Sequence, residues 1–269
     1  MSEDPPKVVL TIAGFDPSSG AGITADLRTI AAHHHFYGVA CITALTVQST
    51  QGVRRVQPIN PKLVRETLET LIADIRPVAV KIGMLGSGEV AEVVADFLSS
   101  ASLENVVLDP VLRSSSGASL LDAAGLGTLL TRLLGRIDVI TPNLEEAGLL
   151  TKMEVHDLDS ARAAARNMIE RGAKAAVVTG GHLKEVADAL AERKPDGSIE
   201  IQTFPGQKVE TANTHGTGCA FSTALACNLA LGLALRDAVQ AAKAYVTQAL
   251  KTSYPVGKGV SPVNHLFRT

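Results

Sequence analysis

Short apolar runs separated by longer, helix-patterned segments recur from near residue 8 to about residue 178, and few folds accommodate that rhythm. Strands are predicted at residues 8–13, 39–47, 78–82, 106–108, 139–140 and 175–178. Helices are expected from the Gly-rich segment 14–22 through about His33, after Pro61, and at 90–99, 120–134, 143–150 and 160–171. This alternation predicts an α/β fold with a mostly parallel sheet covered on both faces. Right-handed crossovers then gather the strand C-terminal ends along one edge, where open sheets of this kind bind ligands. Residues 187–204 break the pattern, because Pro195-Asp196-Gly197 between two strand-like runs reads as a hairpin turn. Helices are expected again at 217–231 and 236–252. No linker or low-complexity segment divides the chain, so residues 1–269 are read as a single domain.

Composition narrows the function classes. A hydrophobic fraction of 46% suits a substantial core, while 3% aromatics and no Trp disfavour base-stacking platforms. The formal charge of −2 gives no general pull toward nucleic acid or anionic membrane. The start Met1-Ser2-Glu3-Asp4 lacks the pattern of a signal peptide. The weakly polar stretch 219–235 is shorter than a typical spanning helix and reads as a buried one. Cys41, Cys219 and Cys227 form no CxxC pair, and on one helix the last two would stand ~12 Å apart. That separation is too long for a disulfide, and a reducing, cytoplasmic setting is expected.

The chemistry concentrates in Asn213-Thr214-His215-Gly216-Thr217-Gly218-Cys219, immediately before an apolar helix. Gly216 and Gly218, with Thr217 between them, let backbone N–H groups converge at the positive end of that helix, where an anion is favoured. Phosphoryl transfer needs this kind of site, since its catalysis is largely positioning and charge stabilisation. There is no GxxxxGK[ST], so a P-loop is disfavoured. Taken alone, such a motif is more often only a turn and a helix cap. Cys219 would feel the helix end, which is expected to lower its pKa and suit it as a general base. The plainer reading of a free Cys is a small buried hydrophobe.

Seven motifs in order carry a resemblance over residues 10–265. They are Thr11-Ile12-Ala13-Gly14-Phe15-Asp16-Pro17-Ser18-Ser19-Gly20-Ala21-Gly22-Ile23-Thr24-Ala25-Asp26, Ile42-Thr43-Ala44-Leu45-Thr46-Val47-Gln48-Ser49-Thr50, Lys81-Ile82-Gly83-Met84-Leu85, Asp109-Pro110-Val111, Thr141-Pro142-Asn143-Leu144-Glu145-Glu146-Ala147, the 214–219 segment, and Val256-Gly257-Lys258-Gly259. In these the chain resembles the hydroxymethylpyrimidine/phosphomethylpyrimidine kinases of the ribokinase-like superfamily. The resemblance implies a three-layer α/β/α fold around a mostly parallel sheet. It implies transfer of the ATP γ-phosphoryl group to a hydroxymethylpyrimidine and then to its monophosphate, with Mg²⁺, in thiamine biosynthesis. A homodimer is implied as well.

The resemblance places Gly216, Thr217, Gly218 and Cys219 at the transfer centre. It assigns Gly14, Asp26, Gln48 and Met84 to the pyrimidine pocket, where a Gln amide suits an aminopyrimidine edge and Met supplies a polarizable wall. Asp109, Asn143, Thr179 and Gly181 are expected around the nucleotide, and Glu146 at Mg²⁺, acting through water. Helix capping by Asn143, a solvated face for Glu146 and core filling by Met84 are the plainer readings of the same residues.

Two departures matter. Many relatives carry Lys where this chain has Thr179, and pyridoxal kinases often carry Thr there, which keeps a pyridoxine/pyridoxal kinase as the alternative. Arg113-Ser114-Ser115-Ser116 stands where relatives commonly place Lys, and 113–117 and 187–204 are candidate covering segments. A regulatory pyrimidine-binding protein without catalysis is the alternative outside enzymes. Adjacent His33-His34-His35 do not share a helix face and read as a polar helix end. The apolar run 43–47 reads as part of a central strand rather than a membrane patch.

Overall fold

The computed structural model describes residues 5–114 and 117–268. The start of the chain at 1–4 and Ser115 and Ser116 of the candidate covering segment lie outside the described residues. Six strands form the parallel body of the sheet: β1 (Lys7–Phe15), β2 (Phe36–Ser49), β4 (Ala79–Ile82), β5 (Val106–Leu108), β6 (Val139–Ile140) and β7 (Ala175–Val178). β3 (Gly52–Pro58), β8 (Ala187–Arg193) and β9 (Ile199–Pro205) complete a nine-stranded sheet in the order β3-β2-β1-β4-β5-β6-β7-β8-β9. β3 pairs antiparallel with β2, and β8 and β9 form an antiparallel pair next to β7.

The connections are helices. They are α1 (Gly22–Ala31), α2 (Pro61–Asp74), α3 (Gly88–Ser100), α4 (Ala123–Thr128, continuing as a π-helical turn over Leu129–Leu133), α5 (Leu144–Thr151), α6 (Leu158–Glu170), α7 (Thr217–Ala230) and α8 (Leu235–Lys251). Local chemistry sets several of the starts. Asn60 caps α2 with Pro61 at its first position, Ser87 caps α3, and Asn143 and Asp157 form capping boxes at α5 and α6.

Two apolar cores separate the layers. On one face Leu10, Ile12, Val80, Ile82 and Leu108 pack with Val64, Val94, Leu133, Ala147 and Ala165 from α2 to α6. On the other, Val9, Val107, Val139 and Val177 pack with Ile30, Leu225 and Ala242 from α1, α7 and α8. Alternate residues of a strand point to opposite faces, so one strand feeds both cores. The α/β/α layering and the mostly parallel sheet agree with the βα rhythm of the sequence.

The differences have local causes. β3 carries charged and polar residues, including Arg54 and Arg55, and its pattern hid it from a search for apolar runs. β2 is longer than residues 39–47 and is not a fully buried strand: Ile42, Leu45 and Val47 are exposed. Register with β1 ends at Phe15↔Leu45, and beyond it β2 continues as a two-stranded extension with β3 alone. The predicted turn at 195–197 is present, with Gly197 at φ 84° and the Asp196 carboxylate accepting from the Ser198 N–H. Of the stretch 219–235, residues up to Ala230 lie in the buried α7, while 231–234 form an exposed turn before α8 and correct the reading of one buried helix. Among the described residues no helix is long and apolar enough to cross a membrane.

Candidate active site

Four parallel strands release chemical side chains or turns at the same edge of the sheet. β4 is followed by Gly83 and Met84, β5 by Asp109, β6 by Asn143 and β7 by Thr179. The N-terminus of α7 meets this edge.

Gly216 caps α7 with φ 83°, and no side chain bonds there. A Cβ on Gly216 would overlap the Gly20 carbonyl oxygen, and one on Gly20 would run into the His215 imidazole. The loop before α1 and the loop before α7 are thereby interlocked, and only glycine fits at the contact. The helix presents its first-turn N–H groups and positive end beside Asp109. A Cβ at Gly218 would lie 3.8 Å from Asp109 Oδ2.

Cys219 occupies the third position of α7 and is half-buried. Its pKa was expected to be lowered by the helix end; the structure corrects this. Burial pushes the thiol up to about 12, with the Lys81 ammonium opposing the rise and Asp109 and Asp26 adding to it. Asp109 is itself raised, first by burial, with Lys81 pulling against it, and it accepts hydrogen bonds from Ser222 Oγ (3.1 Å) and the Cys219 thiol.

Asp26 is a second correction. It was assigned to the pyrimidine pocket, but it is wholly buried and its two oxygens are occupied. Oδ1 accepts from Lys81 Nζ and Thr223 Oγ1 at 2.9 Å each; Oδ2 accepts from Lys81 Nζ at 2.9 Å and Thr11 Oγ1 at 2.6 Å. No acceptor face remains for a ligand. Helix α1 presents this residue to the sheet, not to the edge.

Gly14 and Met84 do come together. A Cβ on Gly14 would stand 2.9 Å from Met84 Sδ, and Met84 packs with Ala44 and Leu120 in a small apolar cluster. Gln48 is half-buried and reaches His215, with 3.3 Å between its Nε2 and His215 Nε2. His215 Nε2–H donates to Asp16 Oδ2 at 2.9 Å. That proton is satisfied best when the Gln48 amide turns its oxygen toward His215 and its NH₂ toward Thr46, whose hydroxyl donates to the Phe15 carbonyl at 3.0 Å. Burial tends to raise the Asp16 carboxyl, but bonds from His215 and Ser18 outweigh it and hold the group below its ordinary range.

Across the edge, Asn143 Oδ1 accepts from the Glu146 N–H at 2.9 Å while its own N–H donates to Glu146 Oε2 at 3.0 Å. The capping reading of Asn143 is therefore realised, with Asn143 itself still exposed. Glu146 does not lie on a solvated face: it is buried, and burial followed by the Asp109 charge pushes it up to about 8. Thr179 bridges to Asn143, its N–H donating to the Pro142 carbonyl at 2.9 Å. Gly181 is open, with nothing within 4 Å of a Cβ built on it, while the neighbouring Gly180 N–H is fixed by Asp188 at 2.9 Å.

Arg113 pairs with exposed Glu145 at 3.0 Å. His33 is a buried structural residue bonded to the Thr29 carbonyl, whereas His34 and His35 are exposed. Among the described residues no group of three or more His, Cys, Asp or Glu is placed to hold a metal. A groove of about 570 Å³ between β9 and α8 contains none of the residues above.

Sequence reasoning passed over Asp16, Lys81 and His215, although each sits inside a quoted motif. The available signal for Lys81 was a lone cation in the run Ala79-Val80-Lys81-Ile82, where a buried strand tolerates a charge only with a partner. For His215 it was adjacency to Gly216.

The family model for phosphomethylpyrimidine kinase matches residues 16–264. The chain is 41% identical over 254 residues to the hydroxymethylpyrimidine/phosphomethylpyrimidine kinase of Aquifex aeolicus, covering 94% of this chain and 97% of that protein. It is 39% identical to the thiamine biosynthesis bifunctional protein ThiED of Geobacter sulfurreducens, over 96% of this chain and 52% of that protein. Among solved structures, the ADP complex of Bacillus subtilis pyridoxal kinase is similar with a TM-score of 0.87 and 34% identity, over 97% of this chain and 98% of that one.

Proposed function

The chain belongs to the phosphomethylpyrimidine kinase family, ribokinase-like kinases of thiamine biosynthesis, and on that premise we propose that ATP is its phosphoryl donor and that both the hydroxymethylpyrimidine and its monophosphate are acceptors. The observation that carries the reading is the meeting of the α7 N-terminus, Asp109 and Cys219 at one edge of the sheet. The N–H groups around Gly216, Thr217 and Gly218 receive the charge of the transferring group. The substrate oxygen forms its bond to the γ-phosphorus as the bond to the ADP oxygen breaks. The hydroxymethyl proton passes to Cys219 Sγ as the thiol proton passes to Asp109. This relay accommodates a thiol raised to about 12, because no free thiolate has to accumulate.

Gly14, Met84 and Gln48 line the pyrimidine side, with Gln48 held by His215 and Thr46. Asp26 is left out of the pocket and acts from behind it. Asp109, Asn143, Thr179 and Gly181 border the nucleotide. The donor chemistry fits Mg²⁺ modestly: Glu146 is a buried carboxylate pushed up by a second negative charge, a position that a divalent cation favours. Glu146 would hold the ion through water, and the ion would supply neutralising charge at the phosphates.

We read residues 1–269 as one kinase unit. Exposed Ile42, Leu45 and Val47 along β2 support the homodimer as part of this proposal. Three free cysteines support a cytoplasmic setting.

Pyridoxine phosphorylation is the second reading, favoured by Thr179 and by the likeness to a pyridoxal kinase. Purified protein with ATP–Mg²⁺ and, in parallel, hydroxymethylpyrimidine, its monophosphate and pyridoxine tests both, the number of phosphates per product giving the step. Cys219→Ala is expected to lower kcat by ~10²- to 10⁴-fold at saturating substrates. Near-normal turnover would remove Cys219 from the relay.

A further inference from the structure

Lys81 is a complete ammonium inside the protein. Its side chain has no exposure, and it leaves β4 between Thr11 of β1 and Val107 of β5 in the sheet register. Gly83 makes room for it, since a Cβ there would stand 2.8 Å from Nζ. Asp26 grips the ammonium with both oxygens, and Thr11 and Thr223 take the remaining lone pairs of that carboxylate. The anchor is thus fixed from β1, α1 and α7 at once. An ammonium has three donors, and Nζ also lies 3.9 Å from Asp109 Oδ2, on the side of the transfer centre.

We propose that Lys81 is a positioning residue of the transfer centre, a buried cation anchored by Asp26 so that the Cys219–Asp109 pair keeps one negative charge ready for the proton it must accept. The inference rests on the Cys219–Asp109 relay. The charged and titratable groups facing that pair are Lys81 from β4, Asp26 from α1 and, for Asp109 and Glu146, each other; Ser222 and the Gly22 N–H are the neutral donors. Three carboxylates and a thiol in a dry site would otherwise take up protons to shed charge. Among the described residues, Lys81 is the positive group that faces them. Asp26, Cys219 and Asp109 outweigh the effect of burial on the ammonium and hold it charged above its ordinary pKa.

The test is the charge-neutral pair Lys81→Met/Asp26→Asn, since exchanging both partners of a buried ion pair is often close to neutral for stability, whereas removing one is not. Thermal unfolding and circular dichroism check the fold. The pH profile of kcat and the pH dependence of Cys219 alkylation by iodoacetamide, read at the Cys219 peptide by mass spectrometry, check the inference. Both profiles are expected to move to higher pH by about one unit, with kcat at neutral pH down about tenfold and recovering toward alkaline pH. KM values for ATP and the pyrimidine should change little. A folded variant with both profiles in their wild-type positions overturns the inference.

The alkylation readout depends on the charge of Lys81 and not on whether Cys219 is the base. An active Cys219→Ala, together with a shifted Cys219 alkylation profile in the Lys81→Met/Asp26→Asn pair, would therefore strike the relay alone. If the pair does not fold, nitrogen NMR of lysine side chains in the wild type decides instead. A solvent-protected ammonium at neutral pH is expected, and a neutral Lys81 amine there overturns the proposal.

Discussion

The two glycines at the head of α7 have different jobs, and alanine at each should separate them. Gly216 has φ 83°, and a Cβ would overlap the Gly20 carbonyl oxygen, stand 3.0 Å from its carbon and 3.4 Å from His265 Cε1. The His265 contact cannot yield freely, because its Nε2 bonds Gly20 O at 3.2 Å while Tyr245 holds the His265 carbonyl. The left-handed backbone costs an alanine about 1–2 kcal/mol. Overpacking against a fixed backbone adds about 1–3 kcal/mol. For a chain of this size, ~2–5 kcal/mol lowers Tm by roughly 5–15 °C.

Gly218 has ordinary helical space, the nearest atom outside its own helix to a Cβ there being Asp109 Oδ2 at 3.8 Å. Gly218→Ala should therefore melt within about 2 °C of wild type, since a compatible surface-like site changes stability by less than about 0.5 kcal/mol. Its methyl group enters the anion space instead, and a displacement of about 1 Å there lowers kcat by ~10- to 100-fold. Differential scanning fluorimetry with steady-state kinetics on both variants is sufficient. A Gly216→Ala that melts with wild type, or a Gly218→Ala with unchanged kcat, would refute the division of roles.

Two pH dependences follow from burial. Glu146 is raised from 4.5 to about 8, so the folded state holds a proton that the unfolded state has released. Its contribution to stability falls as pH rises through that window, and Glu146→Gln should gain on wild type in urea unfolding at the alkaline end relative to the acid end. His265 runs the other way: burial lowers it from 6.5 to about 4, the unfolded state binds the proton first, and stability is lost as pH falls between those values. His265→Gln should flatten that acid-side loss, which unfolding curves across the window would show.

Most of the fold was legible because it rests on local periodicity. The runs at 106–108, 139–140 and 175–178 coincide with β5, β6 and β7, and the turn at Gly197 follows from residue chemistry. The β2–β3 extension was misread because its apolar pattern carries no mark of whether a third strand or solvent covers it.

At the site, sequence by itself determined the positions that need glycine and the order of the motifs. A backbone conformation and a close approach are properties of one residue and its immediate turn, and Gly216 announces both. Charge state is different. Whether Cys219 is acidic, whether Asp26 meets a ligand and what neutralises Asp109 depend on what lies within a few ångströms, and those neighbours come from residues 26, 81, 109, 219 and 223. Only the crossing of β4, α1 and α7 brings them together. The helix end alone favours a thiolate, but burial outweighs it, and the counter-charge arrives from a lysine far away in the chain.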